Sequence, residues 1–373
     1  MEERIRQTLA DIFDSTVAEE ARLQNLGGHA SLRIYWRIHL PTELDPPRVY
    51  PRGETTLMAM VLPEGLDPME SAEGNSSDAP RPRELPFVNV QRYLANIGMP
   101  VPAIDRVDMP RGVLILEDLG EQMLEDSVLQ ARAGSDPERE VINIYSEAID
   151  LLIRFQYAVL RDEKSQSRQT DCIGFTRSFD KELLLWELDH YREWGLEAQF
   201  GKDKIAPYKD RLDACFEAIA DELVHAPRTL VLRDYQSRNI MWKKDTWILI
   251  DFQDALLGPA IYDLVALLRD SYVELTPEQV TELVDYYIEC GDSIDLPWCS
   301  DAHQVRRLFH LQTIQRKLKD AGRFIYIDRV KNNPSFLDYY DSSIQYVRHA
   351  LSQLDGFDEL ISILEDVEPA FTK

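Results

Sequence analysis

The chain has 373 residues, 44% hydrophobic and 29% charged, with a net charge of −25. That length can bury a large core in two lobes, and the composition is ordinary for a globular protein in water. So acidic a chain, with no Lys/Arg block, lacks the footprint of a nucleic-acid binder, and no run approaches the roughly 18 apolar residues of a membrane span.

Residues 3–25 place Ile5, Leu9, Ile12, Phe13, Val17 and Ala21 at helical spacing, which predicts one helix. Gly27 and Gly28 then enter 32–38, whose alternation predicts a half-buried strand, and 55–62 reads as another strand. Residues 63–85, rich in Pro, Glu, Ser, Gly and Asn, read as a mobile loop. A short helix follows over 86–97, stopped by Gly98, and then a strand over 113–116 that ends at Glu117-Asp118-Leu119-Gly120. These pieces predict a small antiparallel sheet carrying one helix, with Gly120 as a hinge.

Beyond Gly120 the pattern turns helical. Residues 131–139 read as a linker, and helices are expected over 141–160, 180–196 and 207–225. After two short strands, helices are expected over 259–274, 276–291, 301–321 and 334–353, with a short helix and a frayed end in 357–373. The fold class is therefore α+β in two lobes: a sheet-bearing N-lobe over 1–119 and a larger, mostly helical C-lobe over 120–373. The four cysteines, Cys172, Cys215, Cys290 and Cys299, have neither zinc-site nor disulfide spacing, and the start lacks a signal peptide's apolar stretch, so a cytoplasmic protein is expected.

The chemistry is concentrated in residues 230–264. Apolar runs at 229–232 and 247–250 read as the strands of a hairpin, and each leads to an acid, Asp234 and Asp251. Asn239 follows Asp234 by five residues. An acid, an amide five residues on and a second acid after the next strand can meet at one point. Mg-assisted phosphoryl transfer needs that set: one carboxylate orients the hydroxyl nucleophile, and the amide and second carboxylate hold the metal that bridges the phosphates. The −25 field repels a nucleoside triphosphate, so such a site also needs cations and dipoles placed locally.

Arg233-Asp234-Tyr235-Gln236-Ser237-Arg238-Asn239 resembles the catalytic loop of protein kinases, with Asp251-Phe252-Gln253 in the place of their Asp-Phe-Gly. Together with Ala30-Ser31-Leu32-Arg33-Ile34-Tyr35, Leu116 to Gly120, Gly258-Pro259, Tyr262-Asp263-Leu264, Leu268-Arg269-Asp270 and Gln315-Arg316-Lys317-Leu318-Lys319, these stretches resemble the aminoglycoside phosphotransferase and choline kinase branch of the protein-kinase-like fold. Within it they look most like the bacterial anomeric kinases of N-acetylmuramate and N-acetylglucosamine, whose products enter cell-wall recycling.

The resemblance implies a bilobal fold, ATP and Mg2+ as cofactors, and a small amino sugar as substrate, with no nucleic-acid or membrane partner. It implies Asp234 as catalytic residue, Asn239 and Asp251 as metal ligands, Gly28, Ala30 and Ser31 over the ATP phosphates, and backbone at Glu117 and Leu119 against adenine. Asp263 would buttress the catalytic loop from its helix. Gln253, Asp254 and Arg238 are the substrate candidates, with a structural salt bridge as the other reading of Arg238; Asp180 and Glu187 either face the sugar or belong to a solvated helix face.

Three positions depart from the pattern. The strand matching the kinase strand-three lysine reads Leu57-Met58-Ala59-Met60, so Arg33 or Arg37 would supply the charge. Leu232 stands where the kinase loop has His, and His29 where Asp is expected. An aminoglycoside or choline-like kinase and a nucleotide-binding pseudokinase are the alternative readings.

Overall fold

The computed structural model describes residues 1–27, 33–44, 49–63, 84–164 and 171–373. The expected loop over 63–85 lies almost wholly outside them, as do Gly28, Ala30 and Ser31. Helices α1 (Glu2–Ile12) and α2 (Ser15–Glu20) precede strands β1 (Arg22–Gly27), β2 (Ile34–His39) and β3 (Thr56–Val61); then come α3 (Pro86–Asn96), β4 (Ile104–Asp108) and β5 (Val113–Glu117).

These strands form one five-stranded antiparallel sheet in the order β1-β2-β3-β5-β4. Strand alternation sorts its two faces. Trp36, Ile38, Leu57, Ala59, Val113 and Ile115 pack with Ile5, Leu9 and Val17 of α1 and α2. Met60, Leu114 and Leu116 point the other way, into a core shared with α3 and the helical part. Tyr35, opposite Met60, and Arg37, opposite Met58, lie on that second face.

The helical part contains α4 (Leu124–Arg132), α5 (Pro137–Glu163), α6 (Lys181–His190), α7 (Ala198–Phe200), α8 (Lys202–Ile205) and α9 (Lys209–Val224). Strands β6 (Arg228–Val231), β7 (Ile240–Lys243), β8 (Thr246–Leu249) and β9 (Leu256–Pro259) follow, and then α10 (Tyr262–Leu268), α11 (Pro277–Ser293), α12 (Ala302–Lys331), α13 (Tyr340–Ser352) and α14 (Asp358–Val367). No helix among the described residues is long and apolar enough to cross a membrane.

The structure corrects several local expectations. The predicted helix over 3–25 is two helices and a strand. The Asp14 carboxylate caps α2 by accepting from Val17 N, and the chain turns extended at Ala21, with ψ 130°. Strand β1 is an edge strand with little burial, so no apolar alternation marks it. The linker read over 131–139 is the end of α4 and the start of α5, which opens on Pro137 at its first turn. The two strands flanking the catalytic loop do not pair with each other: β6 pairs with β9, and β8 with β7. Asp234 and Asp251 are thus brought together by two small ribbons rather than one hairpin.

Helix α12 crosses the end of α6 at Gly322. A Cβ there would meet the His190 carbonyl oxygen and the Tyr191 Cα, each at 2.8 Å. Both are backbone atoms, which cannot swing aside. Gly322→Ala is expected to lower unfolding stability by about 1–3 kcal/mol, read as a lower urea midpoint; an unchanged midpoint would show that the crossing has slack.

Candidate active site

Strand β6 delivers the chain to Leu232 and Arg233, whose backbone N–H groups donate to the two carboxylate oxygens of Asp263 at 2.7 and 3.0 Å. Asp263 is fully buried near the start of α10. Arg233 has φ +74°, a left-handed conformation that is strained for a long side chain and persists only where neighbours fix it. Here Arg316 does so from α12, donating from Nη1 to the Arg233 carbonyl oxygen at 2.9 Å. The Arg233 guanidinium is drawn inward, 3.2 Å from Glu187 and over the Phe179 ring. That reversal leaves the next side chain, Asp234, 34% exposed.

Asn239 closes the loop. Its amide nitrogen donates to the Asp234 carbonyl oxygen at 2.8 Å, and its own carbonyl accepts from Ile250 N at 3.0 Å. Ile250 immediately precedes Asp251, so the loop and the second acid are joined by one backbone hydrogen bond. Asp251 also sits at positive φ, +59°, with an exposed side chain. Gln253 Nε2 donates to Asp251 Oδ1 at 2.8 Å. Within the loop, Ser237 donates to Asp270 from its backbone N at 2.8 Å and from its hydroxyl. The loop is therefore pinned at its start by Asp263, in its middle by Asp270 and at its end by Ile250.

The other predicted residues fall out as follows. Arg33 lies just before β2, in phase with Tyr35; the Tyr35 phenol, raised by burial, feels Arg33 pulling its pKa down and Asp251 pushing it up. Arg37, the other candidate for the missing lysine's charge, is committed elsewhere: it is buried, paired with Asp118 at 2.8 Å and Glu121 at 2.5 Å, and donates to the Gly120 carbonyl. Glu117 Oε1 pairs with Lys243 at 2.9 Å, and Lys243 also reaches Glu54 at 2.6 Å and the Asp118 carbonyl oxygen at 2.6 Å. Leu119 is buried beside them.

Among the substrate candidates, Arg238 has its guanidinium paired with Glu125 at 2.6 Å and laid over Tyr272. Gln253 is buried with its amide on Asp251, and Asp254 lies 3.8 Å from Arg177. Asp180 caps α6 by accepting from Leu183 N, while Glu187 is wholly buried between Arg233 and Gln315, so both are built into the scaffold.

The profile of the phosphotransferase enzyme family matches residues 75–300, more than half of the chain. The chain belongs to the phosphotransferase enzyme family. This phosphotransferase is 27% identical to an N-acetylmuramate/N-acetylglucosamine kinase of Pseudomonas putida over 78% of the chain and 80% of that protein. A Pseudomonas aeruginosa protein of the same name is 28% identical over 77% of the chain and 80% of its own length. A choline kinase from Cryptosporidium parvum superposes with a TM-score of 0.61 at 14% identity, covering 100% of this chain and 99% of that one; at that identity the likeness concerns the fold, which is protein-kinase-like. The phosphotransferase is an ATP-dependent kinase.

Sequence reasoning offered Arg33 or Arg37 as the local cation and gave no role to the cations around Asp234. Arg316 Nη2 lies 3.8 Å from Asp234 Oδ1, and Lys319 and Arg233 act on the same carboxylate. The signal lay in α12, where Gln312, Thr313, Gln315, Arg316 and Lys317 are all buried. So polar a stretch would not be buried without bound partners. Burial pushes the Asp234 carboxyl up to about 6, with Arg316 pulling it down and Asp251 pushing it up. Burial likewise pushes Asp263 up to about 7, against the pull of its two backbone donors.

A carboxyl whose pKa is higher folded than unfolded binds its proton more tightly in the folded state. Its contribution to stability is present below the unfolded value, about 4, and lost as pH rises through the folded value. Asp234→Asn removes that loss, so its thermal midpoint is expected to exceed that of the parent at pH 7.5, with the gain shrinking toward pH 4. A gain independent of pH would contradict this. Asp263→Asn places an NH2 against a backbone N–H and should instead cost about 1–3 kcal/mol, measured by urea unfolding.

Proposed function

We propose that the chain transfers the γ-phosphoryl group of ATP to the anomeric hydroxyl of an amino sugar, N-acetylglucosamine or N-acetylmuramate, in the cytoplasm, yielding a sugar 1-phosphate for cell-wall recycling. The observation that carries this reading is the joining of Asp234, Asn239 and Asp251 by the Asn239 hydrogen bonds, in a chain whose relatives bear that enzyme name.

Asp234 aligns the acceptor hydroxyl and takes up its proton late. A sugar hydroxyl is too weak an acid for full deprotonation by a carboxylate, so its main work is positioning. Asn239 and Asp251 offer hard oxygen donors of the kind Mg2+ takes, the remainder coming from phosphates and water. When bound, the ion neutralises charge on the transferring phosphoryl group. Gln253 acts on the metal carboxylate by holding one of its oxygens, Asp254 is the remaining acceptor contact, and Arg238 is structural.

Arg33 takes the part of the missing strand-three lysine, since Arg37 is consumed at the hinge. The ATP phosphates are assigned to Gly28, Ala30 and Ser31, which lie outside the described residues, and adenine to the backbone at Glu117 and Leu119. The cations around Asp234 favour a neutral or anionic acceptor over a polyamine. This sets the amino-sugar reading ahead of the aminoglycoside or choline-like one.

With ATP, Mg2+ and a panel of acceptors, ADP release is expected with N-acetylglucosamine or N-acetylmuramate. Asp234→Asn should lower kcat at least about 100-fold, and Asp251→Ala should abolish Mg-dependent turnover. Response to kanamycin-like amines or choline alone would transfer the assignment to the other branch. The kcat/KM for ATP should rise with pH through about 6, as Asp234 ionises; a flat profile between pH 5 and 8 would remove Asp234 from the proton path.

A further inference from the structure

One stripe of α12 begins at the catalytic acid and ends in an aromatic cluster. Arg316 reaches Asp234, Lys319 acts on the same carboxylate, Arg323 follows one turn later, and Tyr326 closes the stripe. These positions recur at three- and four-residue intervals, so they share a face. The Gly322 crossing presses this stretch against the end of α6, where the helix widens into a π-helix over Tyr191–Glu197. Such π-turns are rare and recur at functional sites.

The junction gathers four rings. Trp186 stacks on His190 at 5.7 Å and 22°. His190 lies 5.5 Å from Tyr326, and Trp194 meets Tyr326 edge-on at 5.1 Å. Trp186 is the outermost ring and is 47% exposed. The neighbouring Glu187 is buried and joined to Arg233, the residue before the catalytic acid, so this flank of α6 is continuous with the reaction centre.

We infer that Trp186, with His190, Trp194 and Tyr326 behind it, is the platform of a second acceptor subsite, which stacks on the apolar face of a sugar ring linked to the one being phosphorylated. This rests on the amino-sugar reading above. The rise of α12 from Arg316 to Tyr326 is about 15 Å, which is longer than one pyranose ring. A monosaccharide with its anomeric hydroxyl at Asp234 therefore falls short of the cluster, and the second ring of a β-linked disaccharide extends toward it. Aromatic faces suit the C–H face of a pyranose, and Arg323 lies over the Tyr326 ring at 5.2 Å.

The test compares N-acetylglucosamine with its β-1,4-linked disaccharide, N,N′-diacetylchitobiose, as acceptors for the intact chain with saturating MgATP. The expected result is a kcat/KM for the disaccharide about three- to tenfold above that for the monosaccharide, carried by KM, with the ratio falling to about one in Trp186→Ala. Tyr326→Leu, which removes the ring behind the platform but leaves an apolar side chain, should lower the ratio in the same direction. A disaccharide used no better than the monosaccharide, or a preference that survives Trp186→Ala, overturns the second subsite while leaving the amino-sugar reading intact. Turnover of neither sugar overturns that reading, and this inference with it.

Discussion

Two hydrogen bonds, from Leu232 N and Arg233 N to the buried Asp263 carboxylate, set the geometry on which the rest of the site depends. A carboxylate without solvent is costly unless its oxygens are satisfied. Asp263 finds its donors in the backbone that must turn the catalytic loop. The same bonds satisfy N–H groups that β6 has left behind and hold Arg233 in a left-handed conformation it would not keep alone. Once Arg233 is turned inward, Asp234 is turned outward, and Arg316 binds the loop from the other side. The raised pKa of Asp234 belongs to the same arrangement: a carboxyl held in a confined cleft resists ionising and retains affinity for a proton.

A second set of ties joins the sheet to the helical part. Lys243, at the end of β7, donates to Glu54, Glu117 and the Asp118 carbonyl, while Arg37 grips Asp118 and Glu121 from β2. The connection between the lobes is thus stapled from both sides. Its two cations lie partly or wholly out of water, where paired charges resist separation more than exposed pairs do. A single apolar cluster running from Met60 and Leu116 through α3 to Tyr145 and Phe252 backs the same connection. Two unlike layers therefore meet along a line that keeps Tyr35 of the sheet within electrostatic reach of Asp251 of the helical part.

Much of this was legible in the order of residues. Asp234, Asn239 and Asp251 stood out through their spacing taken together with the strands around them, and the resemblance pointed to Asp263 as a buttress, where it accepts from Leu232 N and Arg233 N. Three other features lay beyond sequence reasoning. Strand β1 lacks alternation because it is an exposed edge, and its apolar neighbours continue a helical period into it. Pairing of β6 with β9, rather than with the nearer β8, is a choice between strands of equal propensity that only tertiary packing decides. That Arg37 is committed to Asp118 and Glu121 could not be read either, because both partners lie more than 80 residues further along the chain. Gly28, Ala30 and Ser31 lie outside the described residues, so their part over the phosphates rests on the resemblance.

The central claim is that this centre phosphorylates the anomeric oxygen of an amino sugar. The most direct measurement is the 31P spectrum of the product formed from ATP, Mg2+ and N-acetylglucosamine. The account predicts a phosphoryl signal coupled to the anomeric proton, and no product from the corresponding alditol, which lacks the anomeric hydroxyl. A phosphoryl group on the C6 oxygen, or phosphorylation of the alditol, would contradict it.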